Sequence, residues 1–286
     1  MKAVPLALAA LLVSSAPPSP PPPEPELRTL SCIVLDEKGA PIDGIRPDEV
    51  AVLEDGVARV VARVEPDVRP LTLALLLDTS QAMETSYRLN VIDAVTQFLP
   101  KLPEKSQFAV WAIGDRPRKV VDYGDDVPAA LVALKKVFPT GGNTLLDAIP
   151  ESARDLKKKE GERSAVVVVT GLGTDTSNAS QYQAVDDSIG KAGVFMVVEF
   201  EEGPTEFETR TRYDYALGQL TQRSGGIFER VLSTMGATQA LSKVSSALRA
   251  TYRVSYASGG GEHTKKLEVV VARPGARVLL ASDRKG

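Results

Sequence analysis

The chain has 286 residues, enough for one large domain or two small ones with an ample core. Lys and Arg number 34 against 37 Asp and Glu, a formal charge of -3, which gives no electrostatic reason to expect nucleic acid or an anionic membrane as partner. Cys32 is the only cysteine, so an intrachain disulfide is excluded.

Residues 1–16 read as a secretory signal: Lys2, then the apolar run Val4–Val13, then the small residues Ser14-Ser15-Ala16. That run is too short to span a bilayer, and no later segment is long and apolar enough to be a transmembrane helix. The expectation is an exported protein, periplasmic or extracellular. Residues 17–27 open with PPSPPPPEPE, which suits an extended, solvated linker. Cys32, well behind the signal, reads as a small buried hydrophobe rather than a lipid attachment point.

Residues 28–66 form a β segment. Leu30–Leu35 alternates, and Val50–Leu53 and Val57–Val64 flank Glu54-Asp55-Gly56, a hairpin signal. From Leu71 the period changes. Leu71–Leu77 is almost wholly apolar, as a strand buried on both faces requires. A helix over Tyr87–Leu99 follows, with Leu89, Ile92, Val95, Phe98 and Leu99 expected on one face. Strands are expected at Phe108–Ile113 and Lys119–Val121, then helices at Pro128–Val137 and from Thr140–Thr144 towards Lys159. Ala165–Thr170 (AVVVVT) is a second fully buried strand. Next come a helix near Gln181–Lys191, strand Val194–Phe200, helix Tyr213–Arg223, strand Ile227–Glu229 and helix Ala237–Ala250. Residues 70–250 are thus expected to form a Rossmann-like, doubly wound α/β domain with a mainly parallel sheet. The charged run Arg154–Arg163 reads as a helix end and loop. Residues 251–286 are a C-terminal β segment, expected to pair with the N-terminal one because each alone would leave open edges. Within it, Tyr252 and Tyr256 share a strand face that could pack on the last helix.

Three loops fall at the carboxyl ends of buried strands, where open α/β sheets place ligands. They are Asp78-Thr79-Ser80-Gln81-Ala82, Thr140–Thr144 and Thr170–Thr176. The oxygens of Asp78 and Ser80 are hard donors, suited to Mg²⁺ or Ca²⁺.

The chain resembles a von Willebrand factor type A domain, and in particular the bacterial exported proteins called VWFA-related. The resemblance rests on VLDEKGAPIDGIRPDEVAVLEDG, LALLLDTSQAM, GGNTLLDAI, LGQLTQRSGGIFE and LRATYRVSY, in that order. It implies an adhesion-type metal site built from Asp-x-Ser-x-Ser, a threonine and an aspartate, with a partner's acid completing the shell. Asp78 and Ser80 match; Ala82 stands where the second serine belongs; Asn143, with Thr144 next to it, stands at the threonine; Gly171 replaces the aspartate. The site is therefore expected to be degenerate, with no cofactor required.

The reading that follows is a non-enzymatic protein that binds an unidentified protein partner at Asp78, Ser80, Asn143, Thr144 and Asp175. One alternative is a Mg²⁺-dependent adhesin, with Asp78, Ser80 and Thr144 as ligands and Asp175 or the partner restoring the shell. A weaker alternative is an enzyme binding a phosphorylated small molecule at Gly141–Thr144. Against catalysis stand the remoteness of the only histidine, His263, and the absence of a nucleophile elbow or a complete dinucleotide fingerprint.

Overall fold

The computed structural model describes residues 27–159, 161, 163–178, 182–188, 193–201, 207–259 and 266–280. The signal, nearly all of the linker, and His263 lie outside the described residues. The organising element is β5 (Thr72–Asp78). Leu73 to Leu77 have no exposed surface, because β5 lies between β6 (Gln107–Ile113) and β8 (Ser164–Gly171) and is parallel to both. Alternate side chains enter two different cores. Leu73, Leu75 and Leu77 meet α2 (Ile92–Phe98), α3 (Val127–Lys135) and α7 (Ala237–Arg249), while Ala74 and Leu76 meet α4 (Leu145–Lys157) and α6 (Phe207–Ser224).

With β7 (Pro117–Gly124), β9 (Val194–Phe200) and β10 (Phe228–Val231), these strands make a six-stranded sheet of order β10-β9-β8-β5-β6-β7. All neighbours are parallel except the edge strand β7. The doubly wound sheet expected from sequence is present. The chain leaves β5 towards β6 and later returns on the other side as β8. The sheet's switch point therefore lies at the ends of β5 and β8.

The helix after β5 departs from expectation. A single turn, α1 (Glu84–Ser86), runs into a π turn at Tyr87–Val91 before α2. Tyr87, Val91, Val95 and Phe98 carry the buried stripe, and Leu89 is turned outward. Leu89 lies about half a turn from Val91, Val95 and Phe98 at helical spacing, so the broad face drawn from the sequence included one residue too many.

The chain's first and last β segments pair directly. β1 (Leu27–Leu35) lies between β11 (Thr251–Ala257) and β13 (Arg277–Leu280), and β11 also pairs with β4 (Val61–Pro66). A smaller sheet joins β2 (Val50–Glu54), β3 (Val57–Arg59) and β12 (Leu267–Val271). Leu30, Cys32 and Val34 point from β1 into the core between these two sheets, whereas Ile33 and Leu35 join the core of α7. Tyr252 and Tyr256 do not pack on the last helix. They face the core between the sheets, their hydroxyls donating to the Ile42 carbonyl (3.0 Å) and the buried Glu54 carboxylate (3.0 Å).

Arg163, read from sequence as the end of a bland charged run, is buried at the junction. It donates to the carbonyls of Asp67 (3.2 Å) and Leu248 and to the Thr251 hydroxyl. Asp67 is held in turn by Arg69 at 2.8 and 2.7 Å. Burial alone would raise the Asp67 carboxyl; the Arg69 hydrogen bonds and the Arg163 charge outweigh it and hold the group below its usual range. An acid shifted down adds stability above its unfolded value and loses it as pH falls through the folded one.

Replacing Arg163→Met should lower unfolding stability in urea by about 2–4 kcal/mol, since it strips the donor from buried acceptors; Lys158→Ala on the exposed helix end should change it by less than about 0.5 kcal/mol. Burial pushes the Cys32 thiol up to about 12. A thiolate-selective reagent should therefore leave Cys32 unmodified in the folded protein at neutral pH and label it fully in denaturant.

Candidate functional site

Backbone bonds knit the three loops together before any side chain contributes. Thr79 N–H donates to Ile113 O (2.7 Å) at the end of β6, while the bonds from Thr140 N–H to Thr79 O (2.9 Å) and from Gln81 N–H to Gly141 O (2.9 Å) join the first loop to the second. Asn143 N–H donates to Thr174 O (2.8 Å) and Thr176 N–H to Asn143 O (2.9 Å), joining the second to the third. Gly141 adopts φ +71°, and a Cβ there would meet the Asp115 carboxylate at 1.5 Å, so only glycine fits.

Asp78 is 1 % exposed at the end of β5. Its Oδ1 accepts from Ser80 N–H (2.8 Å). Its Oδ2 accepts from the Asn143 side-chain amide (2.8 Å) and Gly171 N–H (2.9 Å), with the Thr170 hydroxyl at 3.3 Å. The Asn143 amide also donates to Thr170 Oγ1 (3.0 Å), while its Oδ1 accepts from Leu145 N–H (2.9 Å) at the start of α4. Reversing the carboxamide would set oxygen against carboxylate and N–H against N–H, so the network fixes its orientation. Burial pushes the Asp78 carboxyl above its ordinary range, and the surrounding donors, led by Ser80 N–H, pull it back only in part. A raised acid costs stability once pH exceeds its unfolded value, so these donors offset a cost.

The other expected residues are placed differently. Ser80 is buried beside Asp78, and its hydroxyl makes no hydrogen bond among the described residues. Thr144 turns its hydroxyl to the Gly114 carbonyl (2.9 Å). Asp175 does not reach Asp78. Its Oδ1 takes Ser177 N–H (2.9 Å) and a long bond from the Tyr213 hydroxyl (3.5 Å), and its Oδ2 faces the Arg212 guanidinium at 3.3 Å. Tyr213, fully buried on α6, is a residue of this cluster that the sequence reading missed; it was assigned only to a helix. Burial raises its phenol strongly, with the charges of Asp175 and Asp78 adding to the effect. The available signal was its place in the stripe Tyr213, Leu217, Leu220 on the buried side of the helix.

Mg²⁺ asks for a near-octahedral set of oxygens, and the residues here do not fit one as arranged. Oδ2 of Asp78 is taken up by donors, and Asn143 presents N–H, not oxygen, to it. A Cβ at Gly171 would sit 2.7 Å from the Met83 sulfur, so an aspartate there would have to displace a buried methionine. Among the described residues no three His, Cys, Asp or Glu side chains converge. An anion at Gly141–Thr144 fares no better. The N–H groups of Asn143 and Leu145 are already paired as above, and Leu146 N–H donates to Ser177 Oγ (3.1 Å).

A doubly wound sheet whose switch-point loops close over a single aspartate defines the class: a Rossmann-like α/β domain with a mainly parallel sheet. Residues 73–174 match the family model of the von Willebrand factor type A domain, and the chain carries a domain of that family. It is an interaction and adhesion-type fold. Among solved structures, the chain is similar to a von Willebrand factor type A protein from Catenulispora acidiphila, at 13% identity and TM-score 0.52 over 89% of this chain and 72% of that one. It is also similar to proximal thread matrix protein 1 from the mussel byssus, described with a zinc-occupied MIDAS motif, at 16% identity and TM-score 0.51. That match covers 67% of this chain and 48% of the mussel protein. None of the curated proteins compared with the chain matches it. No helix of the described residues is long and apolar enough to cross a membrane.

Asn143→Ala should cost about 2–4 kcal/mol in chemical denaturation, because it leaves a buried carboxylate short of a donor and uncaps α4. Thr144→Val, which loses one hydroxyl-to-carbonyl bond, should cost about 1 kcal/mol.

Proposed function

We propose that the chain is an exported, non-enzymatic protein that binds a protein partner at the three-loop surface around Asp78, Ser80, Asn143, Thr144 and Asp175, without a shared metal ion. The observation that carries this reading is the Asn143 amide at 2.8 Å from Asp78 Oδ2. A neutral donor fixed inside the chain hydrogen-bonds the carboxylate oxygen that would otherwise face an ion. Recognition then rests on the shape and exposed polar groups of the loops, such as Thr174 and Thr176. The signal-like residues 1–16 support export, and the lack of a converging acid, base and nucleophile among the described residues supports a binding role.

A Mg²⁺-dependent adhesin is the second reading. The buried Ser80 hydroxyl, unpartnered beside Asp78, favours it, as does the zinc-occupied motif of the mussel protein.

Titration calorimetry with Mg²⁺, Mn²⁺ and Ca²⁺ separates the two. The expected result is no binding heat and no rise in Tm with any ion at millimolar concentration, for wild type and Asp78→Ala alike. A saturable heat in wild type that disappears in Asp78→Ala would establish the metal-dependent reading, and a Tm rise of wild type alone would do the same where the variant is too unstable to titrate.

A further inference from the structure

Four large apolar side chains stand in the open on one flank of the domain. Phe138 is 72% exposed, Leu89 67%, Met235 84% and Leu232 83%. The flank is covered by α2, α3 and α7, on the opposite side of the sheet from α4 and α6.

These side chains come from three segments that the structure fastens together. The Tyr87 hydroxyl donates to Leu134 O (3.0 Å), tying the π turn to the end of α3, just before Phe138. The Arg88 guanidinium lies over the Phe138 ring, 5.2 Å from its centre. On the other side Asn90 donates to the Thr234 hydroxyl (2.9 Å), bringing the π turn against the short turn Thr234–Gly236 that carries Met235. Leu89 stands between the two fastenings. It faces outward while Tyr87 and Val91, two residues to either side, stay buried. Single exposed apolar residues need no explanation; a set carried on segments bonded to one another marks an interaction surface.

The charges beside the strip indicate what it meets. Arg88, Lys135 and Lys136 are exposed and make no ion pair among the described residues. Glu84 and Asp93 are the nearest acids on the same helical run, and Glu84 is engaged by the Gln81 amide at 2.7 Å. A cationic end therefore adjoins the apolar strip on a chain whose formal charge is -3. A second copy is a poor match, since a two-fold interface centred on the strip would lay Arg88 and the lysines against the other copy's apolar Met235–Leu232 end. The strip offers on the order of 500 Å², below the roughly 800 Å² per partner of a standard interface between globular proteins.

We propose that the strip Phe138–Leu89–Met235–Leu232, with Arg88, Lys135 and Lys136 at one end, is a docking surface for a short protein segment bearing apolar anchors next to carboxylates. The proposal deepens the partner-binding reading above and rests on it, but it uses different residues from those of the Asp78 loops.

The test is selection of a random phage-displayed peptide library on the folded protein. Selected peptides are then measured by fluorescence anisotropy on wild type, on Leu89→Asp/Met235→Asp, on Lys135→Glu/Lys136→Glu, and on Thr174→Arg in the exposed third loop. Enriched peptides should combine Leu, Phe or Met with Asp or Glu. Their affinity should fall about tenfold or more in the first variant, fall less and lose its salt dependence in the second, and stay unchanged in Thr174→Arg. Peptides weakened only by Thr174→Arg would overturn the strip and leave the loop reading standing. Peptides that no variant weakens, or no enrichment at all, would overturn both. A wild-type dimer that Met235→Asp dissociates would assign the strip to a second copy and overturn the proposal.

Discussion

The contact between the Asn143 carboxamide and the Asp78 carboxylate holds the functional end of this molecule together. Asp78 arrives there because β5 is apolar on both faces and ends in the middle of the sheet, where a charge cannot be left bare. Several donors meet it, and Asn143 is the one that also reaches elsewhere. Its amide touches Thr170 on β8, its carbonyl oxygen caps α4, and its backbone pairs with the third loop. One neutral side chain thus ties together the loops that an ion would otherwise bridge. Most of its buried polar atoms are satisfied internally, the Ser80 hydroxyl excepted.

The remainder of the cluster follows from the same demand for satisfaction. With Asp78 served by Asn143, Asp175 is free to turn away, and it settles against Arg212 and Tyr213. Met83 occupies the space next to Gly171 where a further acid would have to stand. The outcome is a closed polar seam whose exposed surface is loop backbone and small side chains. Such a surface suits shape recognition better than ion exchange.

The two β segments at the ends of the chain are joined to the α/β domain by a comparable device. β1 feeds one face into the core between its own sheets and the other into the core of α7. At the junction Arg163 spans Asp67, Leu248 and Thr251. Both features resist shear between the parts, one by apolar burial and the other by directed bonds to buried acceptors. The strip along Leu89 lies on the same side of the main sheet as α7.

Much of this was legible from order and period alone. The fully apolar runs at Leu71–Leu77 and Ala165–Thr170 dictated central strands, because only a strand covered on both faces can carry such a run. Their alternation with amphipathic helices dictated the doubly wound sheet. Only the tertiary structure decided what Asp78 does with its charge. The partners are Asn143 and Thr170, which lie 65 and 92 positions away in the chain, and a side-chain amide reads the same in sequence whether it faces solvent or a carboxylate. The same holds for Arg163, the buried one among the described charges of its run. Period reports which face of an element is apolar; which distant group meets a given polar atom is set by packing, and packing is a property of the assembled fold.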